Sequence, residues 1–371
     1  MPFLAADLGL TYAQSGLVKT ACSVAISIAQ IPAGLLAERF GEILILGLGT
    51  AWFGLSYVAM LLAAGFPLAL LLAFSAGGGG GAYHPLGTAL IANVYPVQRS
   101  GSAIGILNFS GDVGKVIFPA LTGLLIVAVG WRWSFAAQGA VGVIVGLCYI
   151  LVFRREIAAR RREPRPQVDQ VPSRQRKALR ERFSDWGIRR PRAFGIYTVI
   201  GFVDVAVRSA ATAFLGFALI ESGVEEEALG WLLSLTFLGG ACGKLVCGML
   251  VGRFSSRAVI LVTEILMISG CFLLPLIPAG WWMLLFLPLF GFVLNGTSSV
   301  IYIGLAPTFT RQQRSRGYAV YYTSNFVSTA LSPVLFGLVA DASGLNAIFF
   351  WAGCLMAAGL PLVLLVREAA E

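Results

Sequence analysis

Apolar residues run along this chain in long, nearly unbroken blocks separated by short polar or glycine-bearing breaks. Eleven blocks are long enough, at about 1.5 Å of rise per residue, to carry a helix across the roughly 30 Å hydrocarbon layer of a bilayer. They predict spans near 15–37, 43–63, 67–92, 101–129, 133–153, 193–220, 229–251, 258–277, 281–306, 317–340 and 345–366. A β-barrel would need short strands of alternating character instead. The predicted fold class is an all-α integral membrane protein. One long polar stretch, 154–192, separates a helix bundle over 1–153 from a second over 193–371.

The second block repeats the first. An ungapped offset of 214 residues places Gly16 on Gly230, Gly34-Leu35-Leu36-Ala37-Glu38-Arg39-Phe40 on Gly248-Met249-Leu250-Val251-Gly252-Arg253-Phe254, and Pro119 and Gly123 on Pro333 and Gly337. Gly130 and Phe135 then fall on Gly344 and Phe349. Internal repeats of this kind are the mark of many transporter folds. The same offset puts the partner of span 193–220 ahead of Met1, with Asp7-Leu8-Gly9 beside Glu221-Ser222-Gly223. The expectation is two six-helix bundles with the first helix missing, through a misplaced start or a truncation. A natural eleven-helix protein is the alternative.

Composition agrees with the pattern. A chain that is 57% hydrophobic and 12% charged, with a mean hydropathy of +0.82, cannot hide its apolar residues in one soluble core. The polar stretch from Arg154 to Arg192 holds 14 of the 27 Lys and Arg residues against five acids, so it accounts for the net charge of +9. Flanked by spans, it is expected to face anionic lipid rather than nucleic acid. Positive charge sets orientation: the long loop and the C-terminus are expected in the cytoplasm, with Met1 outside. The six cysteines lie inside spans, with no disulfide or zinc spacing, and neither metal nor cofactor is expected.

Ionisable residues inside a span are functional candidates by default, because they are costly there unless paired or hydrated. In span 101–129, Asn108, Asp112 and Lys115 recur on one helical face. Asp112 lies about 18 Å from the end at Ser100, near the midplane. Asp112 and Lys115 either neutralise each other or take part in transport. In span 193–220, Asp204 and Arg208 are i,i+4 neighbours, also near the midplane. A buried carboxylate can carry a proton while the arginine holds an anion, or the pair can be a structural salt bridge. His84, the only histidine, follows Gly77–Gly81 and precedes Pro85, where the helix is expected to be distorted. It is either a titrating group or a hydrogen-bonded residue at a kink. Asn295 and Tyr302, with Tyr322 and Asn325, can hydrogen-bond a solute or bind helices together. Glu264, near the start of span 258–277, is expected to join a charge cluster with Arg253 or Arg257 rather than to carry protons.

The stretch Gly34 to Gly41, with Glu38 and Arg39 between two spans, resembles the signature loop of the major facilitator superfamily of secondary transporters. Gly248 and Arg253 repeat part of it. The resemblance covers the whole chain and implies a transporter with a central cavity opened alternately to each side, and these loop residues then belong to a conformational motif. His84-Pro85 and Gly111-Asp112-Val113-Gly114-Lys115 resemble fosmidomycin-resistance-like bacterial efflux permeases. The expected function is proton-coupled efflux of a small organic solute across a bacterial inner membrane. Uptake by symport and a non-transporting receptor or scaffold are the alternatives. An enzyme is not expected: there is no His-Glu-x-x-His, Gly-x-Ser-x-Gly or Walker-type loop. Oligomeric state is left open.

Overall fold

The computed structural model describes residues 1–83, 86–87, 90, 97–162, 188–251, 253–309 and 314–365. These residues are helical almost throughout: α1 (Pro2–Leu8), α2 (Tyr12–Phe40), α3 (Glu42–Ala59), α4 (Phe66–Gly80), α5 (Val97–Val152), α6 (Arg154–Arg162), α7 (Pro191–Glu221), α8 (Glu226–Leu250), α9 (Ser256–Leu273), α10 (Trp282–Leu305), α11 (Arg314–Ser343) and α12 (Asn346–Leu364). Among the described residues, nine helices are long and apolar enough to cross a membrane, and Phe66–Gly80 is a shorter apolar helix. The chain divides into two compact units, Met1–Gln167 and Val168–Glu371.

Local chemistry sets the helix ends. Thr11 opens α2 with a reciprocal capping box, its Oγ1 accepting from the Gln14 amide at 3.2 Å while Gln14 Oε1 accepts from the Thr11 amide at 3.0 Å. Ser255 caps α9, its hydroxyl accepting from the Ala258 amide at 3.1 Å. Glu226 and Glu227 occupy the first turn of α8, where the helix dipole favours negative charge. The two spans expected at 101–129 and 133–153 form the single run α5, broken at Gly130, whose φ of 78° only glycine adopts readily. The expected span 67–92 begins as α4, turns at Gly81 and Ala82, and is helical again at Tyr83, Leu86, Gly87 and Leu90 among the described residues.

The 214-residue offset describes the backbone as well as the sequence. Tyr12 and Glu226 open α2 and α8, and Glu42–Ala59 and Ser256–Leu273 coincide at both ends. Each is followed by a 3₁₀ turn, Met60–Leu62 and Leu274–Leu276. The break at Gly130 recurs at Gly344, with φ of 86°, and the left-handed turn at Gly9, φ 60°, recurs at Gly223, φ 91°. On this register α1 stands in the place of the last turns of α7.

Packing within each unit repeats too. In the first, α2 lies against α4, and α3 against both α4 and the second arm of α5; in the second, α8 lies against α10, and α9 against both α10 and α12. Glycine permits the close seams. A methyl group on Gly77 would overlap the Cys22 carbonyl oxygen, and one on its repeat partner Gly291 would overlap that of Thr236. Cys22 and Thr236 are themselves 214 residues apart. A methyl on Gly54 would sit 2.5 Å from the Gly139 carbonyl oxygen, joining α3 to α5. The outward positions are apolar, among them Ile31, Leu71, Leu276 and Trp281. Such a surface is a liability in water and needs no cover in hydrocarbon.

Candidate functional site

The second unit holds a cluster of buried polar groups along α7 and α11: Asp204, Ser209, Asn325, Ser328 and Ser332. Three hydroxyls stitch α7 to α11: Ser328 donates to the Phe202 carbonyl at 2.7 Å, Ser332 to Ala206 at 2.5 Å, and Ser209 to Thr329 at 3.1 Å. Gly201 makes room beside them, since a methyl there would lie 2.6 Å from the Tyr321 ring. Tyr321 is thereby fully buried between the two helices.

Asp204 projects into this seam and is 1% exposed. An Arg208 guanidinium nitrogen stands 3.5 Å from its Oδ2, close enough for an ion pair but long for a good hydrogen bond. Asp204 Oδ1 has no hydrogen-bond partner among the described residues. Arg208 remains partly open, its side chain 21% exposed. The pair keeps one partner buried and leaves the other partly open.

Three tyrosines crowd the pair. Tyr302 of α10 lies 5.5 Å from Tyr321 at a near-perpendicular 83° and 5.5 Å from Tyr322. Asn325 follows Tyr321 by one turn on the same face of α11. Arg208 is within electrostatic range of Tyr302 and Tyr321. Tyr322 is exposed, whereas Asn325 is buried with its Oδ1 unpartnered. Asp204, Arg208, Tyr302, Tyr322 and Asn325, drawn from three separate stretches of sequence, therefore meet in one place. Asn295 is placed elsewhere: it packs on Gly240 of α8, with its Nδ2 donating to the Gly291 carbonyl at 3.3 Å.

Glu264 departs from expectation. It is 1% exposed, and its Oε1 has no hydrogen-bond partner among the described residues. Among the described residues it forms no ion pair with Arg253 or Arg257. The reason is where the helix starts. α9 begins at Ser256, so Glu264 lies eight residues in, about 12 Å along the helix. The adjacent Thr263 accepts from Thr297 of α10 at 2.8 Å and donates onward to the Val259 carbonyl at 2.9 Å, which fixes this face of α9 inward.

In the first unit, Lys115 donates to Asp112 Oδ1 at 2.8 Å, so the two neutralise each other. Lys115 is 59% and Asp112 20% exposed, beside the exposed Val113, Ile117 and Phe118. Asn108 lies on the same helix, but its side chain is outside the described residues, and His84 lies outside them altogether.

The loop motif is only partly described. Gly41 ends α2 with φ of 89°, its amide donating to the Ala37 carbonyl at 2.7 Å, and Arg39 is exposed over the Phe40 ring. Methyls on Gly34 and Gly248 would meet nothing nearer than 3.9 Å. Arg253 is exposed, and the side chain of Glu38 and all of Gly252 are outside the described residues.

Sequence reasoning missed Arg132. One of its nitrogens donates to the Ala63 carbonyl at 2.6 Å and to that of Leu61 at 3.3 Å; another pairs with Asp7 at 2.7 Å, and the guanidinium lies over Trp131. It ties α1 and the turn after α3 to the break at Gly130. Its isolation on the arginine-poor side of the chain was the available signal.

The Major Facilitator Superfamily profile matches residues 1–223 and 197–371. A probable L-galactonate transporter of Escherichia coli is 23% identical over 98% of this chain and 83% of its own length. A hexuronate transporter of Bacillus subtilis is 26% identical over 73% of the chain and 64% of its own length. The multidrug export protein EmrB of Haemophilus influenzae is 28% identical over 44% of the chain and 31% of its own length. Among solved structures, an inward-facing bacterial homologue of the human lysosomal transporter Spinster superposes with a TM-score of 0.74 at 18% identity, covering 98% of this chain and 89% of that one.

Proposed function

Because the chain belongs to the Major Facilitator Superfamily, whose members are multi-pass membrane transporters and not enzymes, we propose that it moves a small organic anion across the bacterial inner membrane in symport with protons. The observation that carries this reading is the Asp204–Arg208 pair, with one member buried and the other open. A solute carboxylate that takes Arg208 leaves Asp204 without its cation, and an uncompensated buried carboxylate binds a proton more readily. Anion and proton then favour each other's binding, and reciprocal coupling of that sign is what symport requires. Tyr302 and Tyr322 supply neutral donors for hydroxyls or a second acid group. The relatives named for galactonate and hexuronate, both carboxylate-bearing sugars, support the substrate class.

Under an inward proton gradient this coupling gives uptake. Efflux by antiport is the second reading, favoured by the match to a multidrug export protein over less than half of the chain. On either reading the arginine-rich 154–192 segment faces the cytoplasm and its anionic lipids, by the positive-inside rule. The symport reading also divides the chain into working parts: bundles over 1–153 and 193–371 joined by that segment.

Reconstitution tests the proposal. Vesicles containing the full chain, alkaline inside, are expected to accumulate labelled L-galactonate or a hexuronate above the outside concentration and to lose this on addition of a protonophore. Export of preloaded solute driven by the same inward proton gradient, with protons entering as solute leaves, would favour the second reading. No gradient-dependent movement of any organic acid would overturn the first.

A further inference from the structure

One charged pair stands where a lipid-facing surface has no use for it. The first arm of α5 runs from Val97 to the break at Gly130, and at about 1.5 Å per residue Asp112 lies about 22 Å from its start and about 27 Å from its end. Lys115, one turn further on, is also near the middle of the arm, deeper than its four-carbon stem can bridge to the headgroups by snorkelling. Yet the pair is open. Lys115 donates to Asp112 Oδ1 at 2.8 Å while its side chain stays 59% exposed. Among the described residues no seam closes at the two flanking glycines: a methyl on Gly111 would meet nothing within 4 Å, and one on Gly114 would first meet the Phe118 ring of its own helix at 3.8 Å. Hydrocarbon accepts other exposed side chains of α5, such as Leu124, Val141 and Ile144. It does not accept an ammonium and a carboxylate, which inside spans face a bundle interior or a water-filled cavity.

We propose that the Asp112–Lys115 face of α5 lines the aqueous route of the solute, with Lys115 a contact for the solute's carboxylate in transit. The inference rests on the organic-anion reading above for the identity of its solute. An ammonium has three donors and Asp112 takes one, so a carboxylate arriving through water can take another without breaking the pair. Asp112 has a task of its own. Its charge offsets part of the attraction of Lys115 for the solute, which keeps the hold weak enough for the solute to leave. A lysine alone at this depth would bind the anion more firmly and release it more slowly. The role is one of passage, and it differs from that of Arg208, whose partner is buried.

Amine labelling of the full chain in lipid nanodiscs tests the water route without any variant. A membrane-impermeant sulfonated acetylating ester is expected to acetylate Lys115, read by peptide mass spectrometry. L-galactonate or a hexuronate is expected to slow that labelling, and a neutral hexose is not. In vesicles, Lys115→Gln should raise KM for the anion about two- to fivefold, the worth of one accessible ion pair, with the maximal rate nearly unchanged. Lys115→Arg should restore the wild-type KM, and Asp112→Asn should lower it. Lys115 inert to the reagent, labelled at a rate that neither acid alters, or replaceable by Gln with no change in KM would overturn the inference. Should Lys115→Gln fail to fold, the labelling of the wild type still decides. If wild-type vesicles move no organic acid under a proton gradient while the acids still protect Lys115, the inference stands and the symport reading alone fails.

Discussion

Where the second bundle carries Glu264, Tyr321 and Asn325, the first carries Thr50, Leu107 and Gly111, each 214 residues earlier. The frame around these positions is shared: matching helix ends, matching left-handed breaks at Gly130 and Gly344, and matching glycine seams at Gly77 and Gly291. The chemistry is not shared. Thr50 spends its hydroxyl on the Leu46 carbonyl at 2.8 Å, whereas its counterpart Glu264 is a buried acid with an unpartnered oxygen. The first bundle's own charged pair, Asp112 and Lys115, is self-neutralised and open. A duplicated backbone can therefore keep its packing in both copies while the side chains at matching positions differ, because packing depends on small residues at a few seams and charge depends on single side chains.

The sharpest way to break this contrast is Arg208→Ala. It strands the buried Asp204 carboxylate, and removing one partner of a buried pair costs about 3–5 kcal/mol. A large fall in melting temperature and loss of solute accumulation are expected, read by thermal unfolding and vesicle uptake. Next come the twin substitutions Gly77→Val and Gly291→Val, each forcing a side chain onto a facing carbonyl. Overpacking of this kind costs about 1–3 kcal/mol, and the two should destabilise to a similar degree, since the seams are equivalent. Unequal effects would show that the seams differ in ways the backbone does not reveal. Glu264→Thr gives the second bundle the residue of the first. It removes a buried acid with an unpartnered oxygen and should change stability by about 1 kcal/mol, read by thermal unfolding. The smallest effect belongs to Asp112→Asn with Lys115→Gln. Exposed pairs contribute about 0–1 kcal/mol, so the double variant should melt close to wild type.

Much of the frame was legible in the sequence. The 214-residue offset was visible in a handful of glycines and prolines because those residues mark breaks and close approaches, features that a fold cannot move without rearrangement. The Asp204–Arg208 spacing was legible for a similar reason: i,i+4 neighbours share a helix face in any helix. The burial of Glu264, against the expected charge cluster, depends on which way α9 is turned and on a start at Ser256, neither of which periodicity resolves in a helix that is apolar nearly all round. The meeting of Tyr302 with Tyr321 and Tyr322 joins separate helices and needs tertiary structure. Asn295 shows the converse: a plausible solute ligand by residue type sits in the α8–α10 seam above Gly240. Arg132 was visible only as a lone positive charge, since its partners are backbone carbonyls that sequence does not display.

The glycine seam between α8 and α10 has a mechanical meaning. Methyls on Gly239, Gly243 and Gly291 would all strike the facing backbone, so the two helices touch main chain to main chain at several heights. Two rods joined at intervals resist flexure far more than two rods lying loosely side by side, and side-chain rotation cannot loosen a joint that contains no side chain. The pair is therefore a girder, and deuterium should enter its amides later than those of α9, which rests on α10 through side chains such as the Phe290 ring against Gly270.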